Sequence, residues 1–162
     1  VAPTALLPEG ATWYPFAGVP VIARWYLLKS YSIIDHEADV GFEVYGNTEE
    51  ELFRNGAVAL FSLITDLESV RPITEKHFEV SGNGELLIVF LNELLYLWDV
   101  EKFIPKEIMI TREHENLKAI LKGEYFDEGR HTVSGAVKAV TYHMFSLQEE
   151  QGRFKATFIV DI

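Results

Sequence analysis

The sequence predicts an α+β fold, with a largely antiparallel sheet of about six strands and two main helices packed on one of its faces. Three observations carry this. Two stretches place apolar residues at helical spacing, one after Thr48 and one from Glu85 to about Val100. The segments around them alternate apolar and polar residues with the period of a strand. The last third of the chain reads as two successive hairpins, a connection suited to antiparallel neighbours.

Residues 1 to about 29 stand apart from the rest. Four of the six prolines, Pro3, Pro8, Pro15 and Pro20, lie there, together with Trp13, Tyr14, Phe16, Trp25 and Tyr26. Proline lacks a backbone donor and resists helix and central strand. This stretch reads as a proline- and aromatic-rich N-terminal arm, as a tail, or as an extra edge strand over Val21 to Leu28. Residues 30–162 read as a single domain.

Within that domain Tyr31 to Ile34 and Val40 to Tyr45 are extended, on either side of the polar run Asp35-His36-Glu37-Ala38-Asp39. In the second piece Val40, Phe42 and Val44 share one face, and alternation puts Asp39 on the other. Thr48 and Glu51 then form a capping box, and Glu49, Glu50 and Glu51 suit the positive end of a helix. Phe53, Ala57, Leu60, Phe61 and Ile64 form its apolar stripe, and Asp66 and Pro72 close the element. Arg71 to Ser81 is a strand, and Ser81-Gly82-Asn83-Gly84 a turn. The second helix is apolar nearly all round, so it must be covered by a sheet and by something else besides. Asn92, Glu93 and Asp99 supply its polar side. Ile108 to Arg112 and Leu117 to Gly123 form a hairpin around Glu113-His114-Glu115-Asn116. Tyr125 to Gly135 is a polar loop. Val137 to Leu147 and Phe154 to Asp161 form the second hairpin, around Gln148 to Gly152.

Composition narrows the function. The 162 residues are 48% hydrophobic, enough for one sizeable core, which excludes a disordered or low-complexity protein. Lys and Arg number 14 against 25 Asp and Glu, a net charge of -11. Such an excess argues against gripping a phosphate backbone and favours basic partners or cations. Cysteine is absent, which removes thiolate metal sites and cysteine nucleophiles and makes a reducing cytoplasm the default. No membrane span is expected. The most apolar run, Leu86 to Trp98, contains Asn92 and Glu93 and falls short of the ~20 apolar residues a span needs. There is no GxGxxG, Walker lysine loop, HExxH or nucleophile elbow.

Three polar clusters remain where chemistry could sit. One is His36-Glu37-Ala38-Asp39. The second is Lys138-Ala139-Val140-Thr141-Tyr142-His143, polar groups set in a strand otherwise fit for a core. The third is Asp161-Ile162, where a side-chain carboxylate adjoins the main-chain carboxylate. Carboxylates held close repel unless they share a proton or a cation. Oxygen donors without sulfur suit calcium or magnesium rather than zinc. Taken singly, each cluster also has a plain reading: a turn cap, a hydrogen-bonded core histidine, a solvated strand end.

Together the clusters resemble the archease family. The resemblance runs from about Tyr31 to Ile162. It includes His36-Glu37-Ala38-Asp39-Val40-Gly41, Gly46-Asn47-Thr48-Glu49-Glu50-Glu51-Leu52-Phe53 and Leu91-Asn92-Glu93-Leu94-Leu95-Tyr96. Its specific parts are Val137-Lys138-Ala139-Val140-Thr141-Tyr142-His143 and Val160-Asp161-Ile162. Many archeases carry Thr where this chain has Glu37. The resemblance implies a small α+β protein that is not itself an enzyme. Archeases assist the GTP-dependent RNA ligase that joins 3′-phosphate or 2′,3′-cyclic-phosphate ends to 5′-hydroxyl ends in tRNA splicing and repair. They promote guanylylation of the ligase and allow multiple turnover. Carried over, the family's calcium site falls on Asp39, Asp161 and the terminal carboxylate of Ile162. Lys138 matches a lysine the family needs, and His36 and His143 are outer-shell candidates. No direct nucleic-acid binding is expected. A metal-assisted phosphohydrolase and a general protein chaperone are the competing classes.

Overall fold

The computed structural model describes residues 30–35, 39–82 and 85–162. The expected N-terminal arm over residues 1–29, and His36, lie outside the described residues.

The described chain runs β1 (Tyr31–Asp35), β2 (Val40–Gly46), α1 (Glu49–Ser62), a short 3-10 turn (Leu67–Ser69), β3 (Thr74–Ser81), α2 (Leu86–Glu101), β4 (Phe103–Glu113), β5 (Asn116–Tyr125), β6 (Ala139–Glu150) and β7 (Arg153–Asp161). The α+β class is as the sequence predicts. The strands differ in number and arrangement. Seven described strands divide into two antiparallel sheets, ordered β1-β2-β7-β6 and β3-β5-β4, in place of one sheet of about six. Nor do the helices share a single sheet face: α1 lies against β2 and β7 on one side and β4 on the other, and α2 against β6 and against β3 and β4. The reason is in the composition of α2. A helix apolar nearly all round cannot leave one side to water, and the second sheet supplies the missing cover. Leu86, Leu87, Ile88, Phe90, Leu91, Leu94 and Leu95 are all buried. Phe90 joins the elements, its ring 5.5 Å from that of Phe53 on α1 and 5.9 Å from that of Phe78 on β3.

Local signals are honoured in detail. The Glu51 N–H donates to Thr48 Oγ1 at 3.1 Å, and Glu51 Oε2 accepts from the Asn47 N–H at 3.2 Å, so the capping box closes one residue earlier than the usual pair. Glu49 in the same turn pairs with Arg112 of β4. The second hairpin turns tighter than the sequence suggests. β6 runs on to Glu150, and only Gln151 and Gly152 form the turn, both with positive φ (52° and 76°), as a two-residue turn between twisted strands requires. No helix among the described residues is long and apolar enough to cross a membrane.

Candidate functional site

The four-stranded sheet has β2 and β7 as its central strands. Val40 faces Val160, and Gly41 faces Ile159. On the other side of β7, Ala139 faces Asp161 and Thr141 faces Ile159. One further step of the β2–β7 register sets Asp39 opposite Asp161, at the end of the sheet. Lys138 precedes Ala139 at the same end, and its N–H donates to the Asp161 carbonyl at 2.8 Å. The topology therefore brings Asp39, Lys138, Asp161 and Ile162, drawn from both ends of the domain's sequence, to one tip.

Alternation decides which way they face. Phe42, Val44, Ala156, Phe158 and Val160 are fully buried and point to the helices. Asp39 and Asp161 lie one residue out of phase and so belong to the outer face. Both are half-buried, while Lys138 and Ile162 are exposed. Asp161 and Lys138 enter none of the ion pairs formed among the described residues.

The next row inward on that face is apolar except for the Thr141 hydroxyl, which donates to the Ile159 carbonyl at 3.0 Å. Ile34, Gly41, Ile159 and Thr141 lie side by side. Ile159 is buried although it points away from the main core. Gly41 makes room for it: a Cβ there would stand 3.2 Å from Ile159 Cδ1 and 3.2 Å from Ile34 Cβ. One row further, Glu43 is matched by Lys155 at 3.3 Å and accepts the Tyr45 hydroxyl at 2.9 Å. The Tyr45 hydrogen bond, with Lys155 behind it, holds the Glu43 carboxyl below its ordinary range. The outer face thus carries a neutralised acid, then an apolar row, then the two aspartates at the rim.

His143 lies on the same strand as Ala139. It stands four residues along β6 from Ala139, exposed, where the β6–β7 register breaks between Thr141 and Ser146. Met144 beside it adopts φ 55°. Among the described residues no group of three or more His, Asp or Glu lies close enough to hold a metal ion. The donors at the tip fit calcium in kind, since two carboxylates are hard oxygen ligands. Calcium takes six to eight oxygens, so main-chain oxygens and water would have to complete the shell.

The match of the whole domain decides the family. Residues 31–162 match the model of the Archease protein family (MTH1598/TM1083).

The chain belongs to the archease family.

The archease of Methanosarcina mazei is 37% identical over 141 residues, which cover 83% of this chain and 97% of that protein. The archease of Pyrococcus furiosus is 35% identical over 142 residues, covering 83% of this chain and all of that protein. Among solved structures, protein 1598 of Methanobacterium thermoautotrophicum superposes with a TM-score of 0.69 at 32% identity, over 82% of this chain and 99% of that one. An archease of Thermotoga maritima described as a possible chaperone shares the fold, with a TM-score of 0.56 at 22% identity over 80% of this chain and 94% of that one.

Two polar features of this archease escape a reading of the sequence alone. Glu124, at the end of β5, is buried and takes part in a closed knot. Its Oε2 accepts from Arg130 at 2.5 Å, and its Oε1 accepts from the Arg71 N–H at 3.0 Å and pairs with His131 Nε2 at 2.8 Å. His131 Nδ1 accepts the Asp127 N–H at 2.9 Å, so the ring hydrogen sits on Nε2 and donates to Glu124. Arg130 above all, with the Arg71 amide and His131, holds the Glu124 carboxyl down at about 2, against the opposing effect of burial. The second feature is Asn92, whose amide reaches across from α2 to β6. Only one signal in the sequence marks it: an amide set among Leu91, Leu94 and Leu95.

Proposed function

We propose that this archease is a non-catalytic activator of the GTP-dependent RNA ligase that joins 3′-phosphate ends in tRNA splicing and RNA repair. In this reading it promotes ligase guanylylation and multiple turnover through an acidic, calcium-binding tip. Asp39 and Asp161 are the principal ligands, with the main-chain oxygens of Ile162 beside them and magnesium as the alternative ion. Lys138 offsets the acidic charge or contacts the ligase. The observation that supports this most is the β2–β7–β6 register, which gathers Asp39, Asp161 and Lys138 at one open sheet end. The net charge of -11 adds to it. Such a surface is repelled by RNA but suited to a basic RNA-binding groove on a ligase, in a cytoplasmic setting.

The test mixes the chain with its cognate ligase, GTP and 3′-phosphate RNA and counts turnovers per ligase. The expected result is many turnovers with the chain and about one without it. Equal turnover in both would overturn the reading, as would hydrolysis of a phosphate ester by the chain alone. A chaperone role is the second reading. It is favoured by Tyr142, Met144 and Leu147, all exposed along the edge strand β6, and predicts protection of unrelated unfolding proteins.

A further inference from the structure

Among the described residues β6 is the outermost strand of its sheet, with β7 on one side and no strand on the other. Open strand edges leave N–H and C=O groups to be matched. At Val140 both groups are matched by one side chain. The Val140 N–H donates to Asn92 Oδ1 at 3.0 Å, and Asn92 Nδ2 donates to the Val140 carbonyl at 2.9 Å. The same Nδ2 donates to the Ile88 carbonyl one turn back on α2, at 3.0 Å. The amide therefore does for Val140 what a neighbouring strand would do, and these bonds fix which end of the amide points where.

The place of this clamp matters more than its strength. Val140 directly follows Ala139, the residue facing Asp161, and Lys138 donates its N–H to Asp161 one residue further out. The anchor is firm, because Ile88 and Leu91, just before Asn92 on α2, are completely buried. We infer that Asn92 is a positioning residue for the acidic tip: it holds the start of β6 so that Lys138 and Asp161 keep their mutual geometry. This rests on the reading of the tip as the functional site.

A plain structural clamp offers the control. Asn55 on α1 donates to the Tyr45 carbonyl at 2.7 Å, near the opposite end of β2 from Asp39. Asn92→Ala and Asn55→Ala each remove a helix-to-strand amide, at the tip and away from it. Calcium titration by calorimetry and amide hydrogen exchange are measured on the full chain and both variants, with Asn92→Ser as a milder version should the alanine protein not fold. Both alanine proteins are expected to unfold at lower denaturant than the parent. Only the Asn92 variants are expected to lose about tenfold in calcium affinity, the range seen when a ligand's supporting partner is removed. Only they should exchange the Lys138 amide faster, again about tenfold. Unchanged Lys138 exchange and calcium affinity in a folded Asn92 variant would overturn the inference, as would equal losses in Asn55→Ala. If the parent takes up no calcium, the metal reading of the tip fails, and Lys138 exchange alone decides the role of Asn92.

Discussion

Glu124 and the Asp39–Asp161 pair are both acidic sites at strand ends, and they are built in opposite ways. Glu124 is enclosed, and both of its oxygens are taken by protein donors: Arg130, the Arg71 amide and His131. Those bonds tie the loop after β5 to the segment before β3. The same loop is held further along by Thr65 Oγ1, which donates to the Thr132 carbonyl at 2.7 Å, and by the Ser134 N–H, which donates to the Ile64 carbonyl. The two aspartates stand half-buried on an outer sheet face, beside an apolar row and with an exposed lysine nearby. A carboxylate whose lone pairs are filled from within serves the fold. Carboxylates set together on an outer rim can serve a ligand. Residue type does not separate the two cases; enclosure in a buried loop knot, against a place on the outer rim of a sheet, does.

The comparison is tested most severely at Glu124. Glu124→Ala strands the Arg71 amide and leaves His131 buried without its acceptor, so it should cost about 3 kcal/mol in urea denaturation. Ligase activation per folded molecule should not change. A loss of activation with full stability would reverse the roles assigned to the two regions.

Acid sharpens the same point. The Glu124 carboxyl is held at about 2 in the folded chain, against 4.5 ordinarily. The folded state therefore favours the deprotonated form. That stabilisation is complete above about pH 4.5 and is lost as pH falls toward 2. Denaturation of the parent and of Glu124→Gln should differ most near pH 7, and the gap should narrow by pH 3. A gap that widens in acid would contradict the network.

Gly41 lies between the two regimes, structural in itself and next to the tip. Gly41→Ala must push Ile159 or Ile34 aside and should cost about 1 kcal/mol. It should also weaken activation through the displaced strand end. An alanine protein with parental stability would show that the outer apolar row yields freely.

The smallest effect on stability belongs to the tip itself. Asp39→Ala and Asp161→Asn should change the unfolding free energy by no more than about 0.5 kcal/mol in the absence of metal. Both should abolish the calcium-dependent rise in melting temperature, together with ligase activation. Normal activation by either folded variant would remove the tip from the mechanism.

Much of the fold is legible in the sequence because its causes are local. The capping box at Thr48 and Glu51, the unbroken apolar surface of α2 and the alternation of β7 depend on residues within a turn or two of one another. The demand that α2 be covered on two sides is legible as well, though not that a second sheet would meet it. The residues of the tip are marked, and assigned to one site, by the resemblance to archeases; periodicity and spacing along the chain do not show their meeting. Asp39 and Asp161 become neighbours only because β2 pairs with β7 in one register, and a slip of one residue would put the two aspartates on opposite faces of the sheet.

Asn92 and Glu124 mark the limit. In the sequence Asn92 is a polar residue on a helix and Glu124 an acid before a loop. Asn92 becomes a clamp because the edge of β6 arrives beside it, and Glu124 becomes a buried hub because Arg71, Arg130 and His131 converge on it. Periodicity and capping report on a residue's neighbours along the chain, which the sequence determines by itself. The partners of a buried polar group come from segments brought together by packing the core, and only the tertiary structure decides which donors meet which acceptors.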